Sequence, residues 1–299
     1  DTIAKALREK RFTAGAINFD RYEVKFEIDE KGKPISVYFK ESKDANKLVE
    51  EFMLLANRTV AEKIGKAPKG KKPKVLPYRI HDLPDPEKLD NLAQFIARFG
   101  YRLRTSGTKT DVSKSINHLL DDIQGKKEEN LIETVSIRAM QKARYSAENQ
   151  GHFGLAAPYY CHFTSPIRRY PDLMVHRVLS HLLAGGEDLK AARKLTGAVE
   201  YAAAQSSQRE VEATAAEREI EACYAAQFMA GHIGERFSGV VSGVTRFGLF
   251  VLLANGAEGM LPAEALPPDD YQYDENAMAL VGRQRSYRFG TPMEVIVAA

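Results

Sequence analysis

The sequence predicts an α+β fold: a helix-rich domain over residues 1–233, followed by a small all-β barrel over 234–299. Apolar residues recur at helical spacing through most of the first part, from Leu48 to Leu182. From Gly234 the period shortens to that of strands, with Gly and Asn turns between them. A length of 299 residues suits two domains, at about 150 residues each.

In order along the chain, Ile3–Lys10 reads as a short helix. Alternating segments follow around Ala16–Phe19, Tyr22–Ile28 and Ile35–Phe39. Glu30-Lys31-Gly32-Lys33-Pro34 separates the last two, the pattern of a hairpin. A long helix is expected from Asp44 to Ile64, with Leu48, Val49, Phe52, Leu55 and Ala56 at helical spacing. The lysine-rich loop after it, including Lys71 and Lys72, reads as a solvated loop or a phosphate-contacting arm. Asp85-Pro86-Glu87 is a helix start, a capping carboxylate followed by a proline whose missing N–H costs nothing there. Leu89, Leu92, Phe95, Ile96 and Phe99 form its apolar stripe, and Gly100 ends it. Ile116, Leu119, Leu120 and Ile123 mark another helix, and Leu131–Ala143 a third. Asp172–Leu183 and the Ala- and Glu-rich stretch Leu189–Met229 read as long helices. Strands are expected at Phe237–Val244, Gly248–Leu253 and Ala257–Leu261, and Met293–Ala299 reads as a strand running to the end of the chain.

Lys and Arg exceed Asp and Glu by 43 to 40. Any surface for a polyanion must therefore come from local clustering. Cys161 and Cys223 lie far apart, which suits a reducing, cytoplasmic setting. No apolar run has membrane-spanning length, so no membrane partner is expected. The histidines show no metal-ligand spacing.

The segment richest in chemistry is Cys161-His162-Phe163-Thr164-Ser165-Pro166-Ile167-Arg168-Arg169-Tyr170-Pro171-Asp172, preceded by Gly151-His152-Phe153-Gly154-Leu155. Two prolines bracket Arg168, Arg169 and Tyr170, and the second opens a helix whose first amides point outward. A guanidinium fork on rigid backbone binds phosphate oxygens in pairs and stays charged. The plainer reading is a capped turn with arginines paired to core carboxylates. On the residues alone the two stand level.

That segment resembles the signature of the RNB catalytic domain of the ribonuclease II and R family. Met140-Gln141-Lys142-Ala143 with Tyr145-Ser146, Glu50-Glu51-Phe52-Met53-Leu54-Leu55-Ala56-Asn57, and Arg79-Ile80-His81-Asp82-Leu83-Pro84-Asp85-Pro86-Glu87-Lys88-Leu89 resemble other parts of the same domain. The form of the arginine motif and the tail are closer to the ribonuclease R branch. The resemblance implies that Arg168 holds the scissile phosphate and that Glu217 orients the terminal nucleotide. It implies that Phe19 is one of two aromatics clamping the 3′-terminal bases, and that Glu50 contacts the terminal sugar. Arg169 and Tyr170 share the motif and are candidate RNA contacts. Without the family, Phe19 reads as core, and Glu217 and Glu50 read as solvated helix faces.

Glu235 to Val251, with Glu258-Gly259-Met260-Leu261-Pro262, resembles an S1 domain, an OB-fold that stacks single-stranded bases on exposed aromatics beside basic residues. Phe247 and Phe250, with Arg246, are the candidates, one of the phenylalanines being open to a core role. Pro262 stands where many such domains have histidine, and the barrel's last strand is expected to be missing. The family uses Mg²⁺ held by clustered aspartates upstream of these motifs, and no matching aspartate segment occurs here. The resemblance therefore implies the C-terminal half of a monomeric, processive, Mg²⁺-dependent 3′→5′ exoribonuclease that converts single-stranded RNA to nucleoside 5′-monophosphates. The chain itself is expected to be inactive. The alternative is a catalytically dead RNA-binding relative.

Overall fold

The computed structural model describes the chain apart from residues 19–22, 41, 68, 71–73, 127, 186–188, 275–277 and 299. Phe19, Lys71 and Lys72 therefore lie outside the described residues.

Helix α1 (Thr2–Thr13) precedes an antiparallel hairpin, β1 (Glu23–Ile28) and β2 (Pro34–Lys40). Its turn follows from local chemistry. Gly32 takes a φ of +81°, and Asp29 Oδ1 accepts from the Lys31 and Lys33 N–H groups. Ala16–Asn18, expected to alternate as a strand, is instead irregular.

Helix α2 (Asp44–Gly65) forms as expected, but its inward stripe differs. Val49, Phe52 and Leu55 are exposed, while Glu51, Leu54, Asn57, Ala61 and Ile64 are buried. Two polar residues turn inward because each meets a partner distant in sequence: Glu51 pairs with buried Arg11, and Asn57 bonds to the 160–163 segment. Strand β3 (Tyr78–Ile80) leads to α3 (Pro86–Ala97), where Asp85 caps by accepting from Glu87 N–H. The helix ends before Phe99, which is exposed and packs its ring near Phe95. Helix α4 (Lys109–Ile123) starts with a capping box between Thr108 and Asp111 and buries the predicted stripe. Helix α5 (Glu129–Ala139) stops short of Ala143. The chain is needed in extended form for β4 (Arg144–Ser146), which pairs with β3 so that Tyr145 faces Arg79. Helices α6 (Tyr170–Leu183) and α7 (Leu189–Met229) complete the helical part.

The rest is β structure: β5 (Arg236–Thr245), β6 (Gly248–Leu253), β7 (Glu258–Pro262), β8 (Gln272–Asp274), β9 (Ala279–Val281), β10 (Ser286–Arg288) and β11 (Pro292–Ile296). They form two sheets, ordered β11-β5-β6-β7 and β10-β9-β8. In β6, Leu249, Val251 and Leu253 point into the core, while Phe250 and Leu252 point out. Gly248 closes the β5–β6 turn because a Cβ there would lie 2.2 Å from the Leu261 carbonyl oxygen. The Asp269 carboxylate accepts from the Arg283, Gln284 and Arg285 N–H groups and fixes the β9–β10 loop. These amides, with that of Asp270, hold it down to about 2.

By packing, the described chain divides into two units. One comprises residues 1–19, 42–124 and 135–213; the other comprises 20–41, 125–134 and 214–299. The division therefore cuts α7 and places the β1–β2 hairpin in the same unit as the barrel. In the first unit Leu76, Tyr78 and Ile80 pack between Ala61 and Ile64 of α2, Met174, Val175 and Val178 of α6, and Val199 and Ala202 of α7. Cys161 is buried in this same cluster, so the start of the arginine motif is built on the core.

Candidate nucleic-acid interface

The arginine motif folds as a tight turn ahead of α6. Ser165 C=O accepts from the N–H groups of Arg168 (3.3 Å) and Arg169 (3.0 Å). Asp172, in the first turn of α6 and 0% exposed, returns one carboxylate oxygen to that turn. Its Oδ1 accepts from Ser165 N–H at 2.7 Å and from Arg169 Nη2 at 2.9 Å. Ile167 and Arg168 stand at the exposed apex, and Arg168 has no ion pair or side-chain hydrogen bond among the described residues. The structure separates the two arginines. Arg169 is paired to a core carboxylate, and Arg168 is presented to solvent.

Behind the turn lies a cluster of half-buried imidazoles and buried phenols from four segments. Ring centroids are 5.0 Å apart for His81–His152, 5.3 Å for His152–Tyr160, 5.7 Å for Tyr160–His162 and 5.6 Å for Tyr145–His162. His81 Nε2 donates to the Gln141 carbonyl (2.9 Å), and its Nδ1 accepts from Gly154 N–H (3.0 Å). Those two bonds require the neutral Nε2–H tautomer. His152 Nδ1 likewise accepts from Leu155 N–H, and the Tyr145 hydroxyl meets His162 Nδ1 at 2.9 Å. Burial pushes His152 down to about 3, assisted by His81 and Arg79. Burial does the same to His162, also to about 3, assisted by Arg169, Arg79, His152 and Arg168. Burial lowers His81 too. Arg79 is locked by a two-pronged bond to Glu210 of α7 and lies 4.7 Å from the Tyr145 ring centre. His152 and His162 are thus kept neutral.

Beside the turn is a cleft of about 360 Å³ whose lining includes Asn46, Glu50, Met53, Asn57, Tyr160 and Arg169. Glu50 and Glu51, indistinguishable in sequence, take opposite positions. Glu51 is 3% exposed against Arg11, whereas the Glu50 side chain is 48% exposed on the cleft and reaches the same guanidinium only at 3.5 Å. Asn57 Oδ1 accepts from Phe163 N–H (2.9 Å) and its Nδ2 donates to the Tyr160 hydroxyl (3.1 Å). The cleft wall is therefore tied to the arginine motif.

Immediately ahead of Phe19, the irregular Ala16–Asn18 segment is gripped from two sides. Asn117 Nδ2 donates to Ala16 C=O (2.8 Å) and its Oδ1 accepts from Asn18 N–H (3.3 Å). On the other side, Ile17 N–H donates to Gly154 C=O, whose own N–H is held by His81. Sequence reasoning missed Asn117, Asn57 and Asp172 as organisers. The signal for Asp172 and Asn57 was their place in the matched segments; Asn117 gave none.

Glu217 belongs to the second unit, on a stretch of α7 that is exposed from Val211 to Cys223. The barrel presents both phenylalanines outward, Phe247 being 62% and Phe250 37% exposed, with the Arg246 guanidinium 4.5 Å from the Phe247 ring centre. The Phe250 ring covers Gly243, where a Cβ would approach it to 3.2 Å. Pro262 pairs with Gly248 at the β6–β7 edge. Among the described residues no three His, Cys, Asp or Glu converge as a metal site, and no helix is long and apolar enough to cross a membrane.

The RNB domain family model matches residues 1–185, and the S1 RNA binding domain model matches residues 232–284. The chain belongs to the RNB family. This RNB chain is 38% identical to ribonuclease R 1 of Lactococcus lactis over 99% of its own length and 35% of the relative's. It is 39% identical to ribonuclease R of Aquifex aeolicus over 99% of its length and 41% of the relative's. The RNB chain therefore spans well under half of these relatives. Its fold superposes on Mycoplasma genitalium RNase R in complex with ribose methylated single-stranded RNA, with a TM-score of 0.90 and 26% identity. That superposition covers 99% of the RNB chain and 46% of the other.

Proposed function

We propose that this RNB chain is the C-terminal half of a ribonuclease R-type 3′→5′ exoribonuclease, supplying the phosphate-gripping part of the catalytic domain and an S1 module that holds single-stranded RNA. The observation that carries this reading is the state of Arg168: exposed, unpaired among the described residues, and fixed on a turn anchored to the core. A free guanidinium on rigid backbone is suited to a phosphate whose negative charge grows as the phosphodiester is attacked.

The remaining roles follow from the family resemblance and from side-chain chemistry. Glu50 accepts from the ribose 2′-hydroxyl at the terminal nucleotide, which separates RNA from DNA. Tyr170 flanks the same strand, and Phe19 stacks on its 3′-terminal bases. Glu217 orients the terminal nucleotide. Phe247 and Phe250, with Arg246, hold the strand through base stacking without reading its sequence. Mg²⁺, when bound by aspartates of the preceding segment, neutralises phosphate charge and activates the attacking water. The residues described here do not offer that ligand set, so no step is assigned to a metal on this chain. The free thiols Cys161 and Cys223 suit a cytoplasmic enzyme, and we take the whole protein to be a monomer.

The test compares this chain with the longer protein on 5′-labelled single-stranded RNA in Mg²⁺. The longer protein yields a processive ladder ending in nucleoside 5′-monophosphates, and the chain alone yields none. A chelator-sensitive ladder from the pure chain would place the catalytic aspartates within it. Binding without cleavage by the longer protein would make it a dead relative.

A further inference from the structure

We infer that Asp172 is a positioning residue for Arg168, and that its carboxylate divides two adjacent arginines between a structural and a substrate-facing role. The inference rests on the phosphate role proposed for Arg168. One oxygen of a fully buried carboxylate holds the two groups that define the turn, the Ser165 amide and the Arg169 guanidinium. The Ser165 carbonyl in turn accepts from the Arg168 and Arg169 amides, so Asp172, Ser165 and both arginine backbones form one closed set.

The chain entering this turn is fixed as well. Phe163 N–H donates to Asn57, its carbonyl accepts from His176 Nε2, and the two rings stack with centroids 4.2 Å apart. With residues 163 and 165 anchored and α6 beginning at Tyr170, the Arg168 backbone has a single path. Two neighbouring guanidinium groups left free would compete for one phosphate and adopt several geometries. Binding Arg169 to Asp172 removes the competitor and leaves one oriented donor, the preorganisation that electrostatic catalysis requires. Asp172 Oδ2 has no protein partner among the described residues, so both bonds depend on the same oxygen and are lost together.

The experiment is a double-mutant cycle on single-turnover RNA cleavage by the longer protein, with RNA affinity and melting measured in parallel. Asp172→Asn keeps the shape but removes the charge that holds Arg169. It is expected to slow cleavage about tenfold or more while RNA affinity changes by less than about threefold. In the Arg168→Ala background the same substitution should slow cleavage by less than about twofold, because its effect passes through Arg168. Independent, multiplying effects would overturn the inference, as would cleavage by Asp172→Asn at the parental rate. If Asp172→Asn does not fold, Asp172→Glu carries the same cycle, keeping the charge but displacing it by one methylene. Loss of fold in both variants would make Asp172 a stability residue and also overturn the inference. Arg168→Ala cleaving at the parental rate would instead remove the reading on which it rests.

Discussion

Acidification should unfold the first unit through its half-buried histidines. His152 and His162 are each held down to about 3 from an ordinary 6.5. Below about 6.5 the unfolded chain takes up protons that the folded cluster refuses, so stability is present above that pH and is lost as pH falls towards 3. The geometry gives the same direction. A proton on His81 Nδ1 would face the Gly154 N–H, and one on His152 Nδ1 would face that of Leu155. The neighbouring charges add to the cost. Arg79 acts on both rings, and Arg169 and Arg168 act on His162. A group titrating from 6.5 to about 3 costs about 2 kcal/mol at pH 5, so the pair costs about 4 kcal/mol relative to pH 7.5. That is a large share of the stability of a domain, which is about 5–15 kcal/mol. The chain has no tryptophan and 13 tyrosines, so the assay is urea denaturation followed by near-ultraviolet tyrosine dichroism at pH 7.5, 6.5, 5.5 and 5.0. The midpoint should fall steadily across that series. His162→Gln, which removes one titration, should about halve the slope. A midpoint unchanged between pH 7.5 and 5, or an equal slope in His162→Gln, would refute the account of the cluster.

Asn117→Ala removes both side-chain bonds to the Ala16–Asn18 backbone. It should destabilise the first unit by about 1–3 kcal/mol, read as a lower urea midpoint. In the longer protein, Phe247→Ala and Phe250→Ala should each weaken binding to poly-U and poly-A alike, by about 1–3 kcal/mol per stacked base lost. Filter binding at fixed salt decides this, and unchanged affinity in both would remove the stacking role.

Much of the architecture is legible in local signals. The Asp85-Pro86 start, the stripe of α4 and the change of period at the barrel act over a few residues, and the structure follows them. What escapes is decided by partners distant in the chain. The α2 stripe turns towards Glu51 and Asn57 because Arg11 and Phe163 await them, whereas spacing alone favours Val49, Phe52 and Leu55. The residues alone likewise left open whether Arg168 and Arg169 are free or paired to core carboxylates. That depends on the burial of Asp172 and the direction of the Ser165 amide, both products of packing α6 on the core. For Phe247 and Phe250 the outcome is simpler. Phe250 falls on the outward phase of β6 and Phe247 in the turn before it, so neither is core.

The most direct test of the central claim is single-turnover cleavage of 5′-labelled single-stranded RNA by the longer protein carrying Arg168→Ala, with affinity and melting measured on the same preparation. Losing one well-placed donor costs about 3 kcal/mol of transition-state stabilisation, about a hundredfold or more in rate. RNA affinity, shared among many stacking and phosphate contacts, should change little, and melting should match the parent because Arg168 is exposed and unpaired among the described residues. Arg168→Lys should recover little of the rate, since an ammonium lacks the planar fork. A variant that melts normally and degrades RNA at the parental rate would contradict the claim that this chain supplies the phosphate-gripping arginine.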